Sequence, residues 1–205
     1  MNKNDRTSYL GFWLRRFICE HMVSVLNLSR NTQVSYRDTF RLLLPFIAKK
    51  CKKKVDNLLI LDLSSDYVYD FLNDLEKVRN CSISTRNQRL AAIHVFAKFV
   101  GQHNPELVEW SHSIGIIPTK LASPKLVTYL EKEEMDALLD APNKNTQQGW
   151  RDYVILTYMY NTGARADEIA NLKIKDLHLA SRPVDTSIAY IIGKGNKERH
   201  CPLWQ

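Results

Sequence analysis

The chain has 205 residues, 44% of them hydrophobic and 25% charged, a balance ordinary for a soluble globular protein of one or two domains. A formal net charge of +7, with a pI near 9.2, favours a polyanionic partner. No run of about 18 apolar residues occurs, which excludes a helical membrane span, and the polar start from Met1 to Ser8 predicts no secretory leader.

The first hundred residues read as four amphipathic helices. Leu10, Trp13, Leu14 and Phe17 fall at i, i+3, i+4 and i+7 and make the first apolar face. Ser29 is a good N-cap for a second helix, in which Tyr36, Phe40, Leu43 and Ile47 recur at helical spacing. Pro45 is expected to kink that helix near Arg41, because its ring removes a donor and crowds the preceding turn. Ser64 or Ser65 caps a third helix with Val68, Phe71, Leu72 and Leu75 inward. Ser84 or Thr85 opens a fourth, with Leu90, Ile93, Ala97 and Val100 as its stripe. Together they predict a bundle-like domain over residues 1–102 with its own core.

The polar faces of this bundle are basic. Arg37 and Arg41 stand four apart on the second helix, lysines follow from Lys49 to Lys54, and Arg86 and Arg89 lie near the start of the fourth. Lys98 shares one side of that helix with Asn87 and His94. Cations so grouped suit a DNA backbone, since Lys and Arg gain affinity by releasing condensed counterions.

Gly101, Pro105, Gly115, Pro118 and Pro124 punctuate the next stretch with little periodicity, so a mostly extended linker is expected over 103–127. A second domain is expected over 128–205. It starts with a helix from Glu131 to Leu139, acidic in its first turn where the helix dipole favours negative charge. After a polar loop, Val154, Ile155, Tyr158 and Met159 give the wide stripe of a buried helix. Asn161-Thr162-Gly163 stops it, because glycine takes the left-handed conformation of a helix C-terminus. A short helix restarts with Ile169 and Leu172 inward, which sets Arg165 on the corner between two helices. Ile188 to Ile192, a Gly-Lys-Gly-Asn turn and a return towards Leu203 predict a β-hairpin. The four cysteines, Cys19, Cys51, Cys81 and Cys201, are far apart, with no Cys-x-x-Cys pair and no histidine at ligand spacing. They read as reduced thiols of a cytoplasmic protein, with no metal expected.

Two segments carry a resemblance. Thr162, Gly163, Arg165, Glu168 and Ile169, followed by Leu172, Asp176 and Leu177, match the first catalytic box of the tyrosine recombinases, the phage-integrase-type site-specific recombinases. Gly193 to Arg199, followed by Pro202 and Leu203, matches that family's catalytic hairpin. Leu28-Ser29-x-x-Thr32-x-x-x-Tyr36 and Ser84-Thr85-Arg86-Asn87-x-x-Leu90 resemble its core-binding domain.

The resemblance implies a mainly α fold with a small antiparallel β-hairpin. A four-helix, SAM-like core-binding domain would precede the first part of a mixed α/β catalytic domain. It assigns Arg165 to the scissile phosphate, where a guanidinium offers bidentate donors and keeps its proton. It assigns Lys194, on a glycine-flanked turn, to protonation of the leaving 5′ oxygen, and Glu168 to support of the site. Arg37, Arg41, Arg86, Arg89, Lys98, Lys197 and Arg199 are the expected DNA contacts, and His178 and His200 are expected to be structural or exposed.

The expected partner is double-stranded DNA, joined by further recombinase protomers in a synaptic complex if the chain is completed, with no cofactor, no metal and no membrane. A nucleoid-associated protein of a mobile element fits these expectations. None of the six histidines has an arginine three residues later, and all nine tyrosines lie at or before Tyr190. The family's His-x-x-Arg box and tyrosine nucleophile are therefore not in these residues. The expectation is a truncated product, a broken gene or a natural short form that binds DNA without cutting it. A non-catalytic DNA-binding protein or regulator occupying recombinase sites is the alternative reading, and a helical protein-interaction module with an incidental basic surface is a further one.

Overall fold

The structure is a computed structural model that describes residues 7–123, 128–180, 186–193, 195 and 197–203. The chain divides into two compact units, Met1–Lys125 and Leu126–Gln205. Among the described residues no helix is long and apolar enough to cross a membrane.

In the first unit α1 (Leu10–Arg16) runs straight into a π-helical stretch, Phe17–Val25, closed by the Leu26 N–H on the His21 carbonyl at 2.9 Å. Ser29 caps α2 (Arg30–Cys51) by accepting from the Thr32 N–H. Pro45 sits inside α2, yet the helix continues to Cys51, where Lys52 turns left-handed at φ 54°. Ser64 caps α3 (Ser65–Lys77), accepting from the Tyr67 N–H. The cap of α4 (Ile83–His103) is Ser82, which accepts from the Thr85 N–H, so Ser84 and Thr85 lie within the first helical turn and do not open the helix. The four helices close on a core in which Phe17 has its ring centroid within 5.5–6.3 Å of Phe96, Phe99, Phe40 and Tyr36.

The expectation of an extended linker from residue 103 onward is corrected by the fold. Pro105 opens a 3₁₀ turn, where its missing N–H costs nothing, and α5 (Val108–Gly115) follows. Leu107, Trp110, Ile114 and Ile117 are all buried in the core of the first unit. The Trp110 indole N–H donates to the Leu63 carbonyl at 2.8 Å, and the Ser111 hydroxyl to the Ala97 carbonyl at 2.7 Å. Positions 107, 110, 114 and 117 form a helical stripe that the flanking prolines and glycines disguise.

The second unit holds α6 (Lys132–Asp140), α7 (Gln147–Thr162) and α8 (Ala166–Ala170). A 3₁₀ turn at Ile174–Asp176 leads into β1 (Leu177–His178), β2 (Ser187–Ile192) and β3 (Glu198–Leu203). The sheet is antiparallel in the order β1-β2-β3, so the expected hairpin gains a third, very short strand. Ala189 and Ile191 of β2 point inward, and Tyr190 lies on the other face between the His178 and His200 rings, 4.7 and 4.4 Å away. Helix α7 is not the buried helix its stripe suggests. Val154 is exposed and Ile155, Tyr158 and Met159 are only half-buried. Among the described residues, the buried cluster that Tyr158 packs against consists of Ala164, Ile191 and Cys201, too few apolar partners to cover a whole helix face.

Candidate functional site

The corner between α7 and α8 is built by three consecutive residues. The Thr162 hydroxyl donates to the Tyr158 carbonyl at 2.6 Å and accepts from the Ala164 N–H at 3.2 Å, linking the end of α7 to the residue beyond the turn. Gly163 is left-handed at φ 61° and its N–H returns to the Met159 carbonyl, a turn that a side chain would strain. Ala164 is buried beside Ile191 and Cys201. The chain then leaves in an extended conformation at Arg165, the N-cap of α8.

Glu168, one turn into α8, is the hub of the site. Its Oε2 accepts from the Arg165 backbone N–H at 2.9 Å and its Oε1 from Arg165 Nη1 at 2.9 Å. From the hairpin, Arg199 Nη1 donates to Oε1 at 3.2 Å and Arg199 Nη2 to Oε2 at 2.7 Å. The carboxylate is buried, with only 5% of its side chain exposed. The Arg199 hydrogen bonds first, and the Arg165 backbone N–H second, hold its pKa at about 2, well below the ordinary 4.5. The Arg165 side chain remains 70% exposed, with its Nη1 on Glu168. One anion between two guanidiniums leaves the cluster a net cation, suited to an oxyanion ligand.

Gly193, one residue past β2, hydrogen-bonds the Lys197 carbonyl at 2.8 Å across the turn. A Cβ at this position would stand 2.9 Å from Glu168 Oε1. Lys194, the expected general acid, lies outside the described residues. The structure therefore brings Arg165, Glu168 and Arg199 together.

The expected DNA contacts divide. Arg37, Arg41, Lys98 and Lys197 are exposed. Arg89 is half-buried, with Nη1 donating to the Thr39 hydroxyl at 3.4 Å. Arg86 is a correction, since it is 4% exposed, pairs with Glu76 at 3.1 Å and donates to the Pro118 carbonyl. Asn87 exchanges two hydrogen bonds with the Lys120 backbone, and Lys120 Nζ binds both oxygens of Glu76 at 2.8 and 2.7 Å. The start of the fourth helix thus holds down residues 118–120. His94, on the same side as Asn87, is half-buried, and burial lowers its pKa.

Sequence reasoning read Arg199 as a phosphate contact and missed its partner. The signal was strand parity: Arg199 pairs with Ile191, an inward position, and shares a face with buried Cys201. Among the described residues no cluster of His, Cys, Asp or Glu is arranged to hold a metal ion.

Comparison with known proteins identifies the family. The family model "Phage integrase family" matches residues 128–205. The chain is 35% identical over 193 residues to the integrase/recombinase y4rD of Sinorhizobium fredii, covering 94% of this chain and 67% of that protein. It is also 35% identical over 190 residues to y4rC of the same organism, covering 93% of this chain but 56% of that protein. In fold it is similar to the XerH site-specific recombinase solved bound to palindromic difH substrate, with a TM-score of 0.64 at 22% identity over 86% of this chain and 50% of that one. With the arginine corner, its buried glutamate and the glycine-flanked hairpin all present, the chain belongs to the tyrosine recombinases of the phage integrase family.

Proposed function

We propose that this chain carries the DNA-engaging part of a mobile-element site-specific recombinase, with Arg165 as the ligand of the scissile phosphate and Lys194 as the general acid. The observation that carries the reading is the exposed fork of Arg165, held by a buried carboxylate at the corner where the hairpin returns. In a strand transesterification the guanidinium would bind the non-bridging oxygens, and the lysine would give the departing 5′ oxygen its proton. The first unit, Met1–Lys125, acts as the core-binding domain, and the second, Leu126–Gln205, as the first part of the catalytic domain. Arg37, Arg41, Arg89, Lys98 and Lys197 supply backbone contacts to duplex DNA, and the protein works in the cytoplasm at the nucleoid alongside further protomers. Support for DNA as partner comes from the net charge of +7 and from the substrate-bound state of the XerH neighbour. The 205 residues contain neither a His-x-x-Arg box nor a tyrosine beyond Tyr190, and by themselves they bind DNA without cutting it.

Affinity for duplex DNA measured across a salt series tests this. Binding should weaken steeply with salt, and Arg37→Ala and Arg41→Ala should each flatten the slope by about 0.9, the value of one phosphate contact. Arg86→Met should leave the slope unchanged. Binding indifferent to salt overturns the reading. A suicide substrate should give no covalent adduct with these 205 residues, and an adduct would mean that a tyrosine up to Tyr190 is the nucleophile. In a protein carrying the remaining boxes, a bridging 5′-phosphorothiolate should rescue Lys194→Ala and not Arg165→Lys, because sulfur departs without a proton.

A further inference from the structure

We infer that Arg199 is a positioning residue, not a phosphate contact: it latches the strand after the lysine-bearing turn onto Glu168, and through Glu168 onto Arg165, while Gly193, before the turn, packs closely against the same carboxylate. The catalytic consequence rests on the function proposed above, whereas the latch itself rests on geometry. Glu168 receives four hydrogen bonds, two from Arg165 and two from Arg199, which fills the roughly four acceptor sites of a carboxylate. Arg199 cannot swing to a phosphate without stripping two donors from a buried anion, and such a group left unpaired is costly. The exposures agree, at 36% for the Arg199 side chain against 70% for Arg165. Of the two guanidiniums, that of Arg165 is the more open to a ligand.

The other end of the turn reaches the same carboxylate. Gly193 lies so close that a Cβ would crowd Glu168 Oε1 at 2.9 Å, and its N–H is bonded across the turn to Lys197. Strand β2 therefore arrives at Glu168 through a residue without a side chain, and β3 arrives through a bidentate guanidinium. A planar fork against a carboxylate fixes direction as well as distance, which a lysine cannot do. The turn between them, residues 193–197, carries Lys194. Glu168 thus fixes Gly193 and Arg199, the described residues on either side of that turn, relative to Arg165.

The test uses the 205-residue chain with Arg199→Lys, Arg199→Ala and Gly193→Ala. The readouts are amide exchange at Gly193, the acid titration of the Glu168 carboxyl by NMR, and the salt slope of DNA binding. Loss of the latch should speed Gly193 exchange by about tenfold or more. In both Arg199 variants it should also move the Glu168 titration up from about 2 towards 4.5, while the salt slope stays as in the parent chain. Arg199→Lys keeps the charge and most of the side chain, so it still reads out if Arg199→Ala unfolds the second unit. A salt slope shallower by about 0.9, with Gly193 exchange and the Glu168 titration unchanged, would return Arg199 to the DNA backbone and overturn the latch. In a protein carrying the remaining boxes, the phosphorothiolate substrate should rescue Arg199→Lys as it does Lys194→Ala, because the latch acts through the lysine. Failure of the chain to bind DNA counts against the proposed function, whereas unchanged exchange and titration count against the latch, so the two failures are separate.

Discussion

The two units hold themselves together by different physics. The first has a continuous apolar core from Leu10 to Ile117, in which Phe17, Phe40, Phe71 and Phe96 are almost fully buried. Its buried charged residue, Arg86, serves to pin residues 118–120. Among the described residues the second buries Ala164, Ile191 and Cys201 as a cluster and leaves Trp150, Val154 and Tyr160 about half exposed. Its candidate site is held by Glu168 and two guanidiniums. Apolar burial is non-directional and spread over many residues, whereas the Glu168 cluster depends on one side chain and on its ionisation. Substitution and pH should separate the two units cleanly.

The largest effect is expected at Phe17. Phe17→Ala removes a ring that packs against five others and should cost the first unit about 3–5 kcal/mol, read by chemical denaturation, while hairpin exchange in the second unit stays unchanged. Glu168→Gln should do the reverse, leaving denaturation of the first unit unchanged while exchange rises at Gly193 and along β3. Acid should act on the same hub. The folded pKa of Glu168 lies below its ordinary 4.5, so its contribution is complete above that pH and drains as pH falls towards about 2. NMR signals of the corner and hairpin should shift across that window, and Glu168→Gln should abolish the transition. A smaller loss is expected from Gly163→Ala, which places a side chain at φ 61° and should cost the second unit about 1–2 kcal/mol. The smallest sharpens a boundary: Ser82→Ala should cost the first unit about 1 kcal/mol as the true cap of α4, and Ser84→Ala close to nothing.

Much of this was legible in the residues. Helical spacing located Leu10 to Phe17, Tyr36 to Ile47, Val68 to Leu75 and Leu90 to Val100, because a 3.6-residue period leaves a direct trace in apolar positions. Gly163 and the Gly193–Gly195 turn marked the corner and the hairpin, because few residues tolerate a left-handed backbone or a close approach. The stretch from Pro105 to Ile117 was misread because prolines and glycines at its ends outweighed a short apolar stripe, and that stripe has meaning only beside α4.

Local spacing by itself determined the first four helices, the arginine on its corner and the hairpin, and residue composition the basic character of the first unit. Tertiary structure alone decided which cations take a partner from elsewhere in the chain. Arg86 and Arg199 read in sequence like Arg37 and Arg165, yet each has a carboxylate partner distant along the chain, Glu76 for one and Glu168 for the other. A charge run does not reveal its counter-ion, because ion pairing depends on distances of about 3 Å between atoms that only the folded chain brings together.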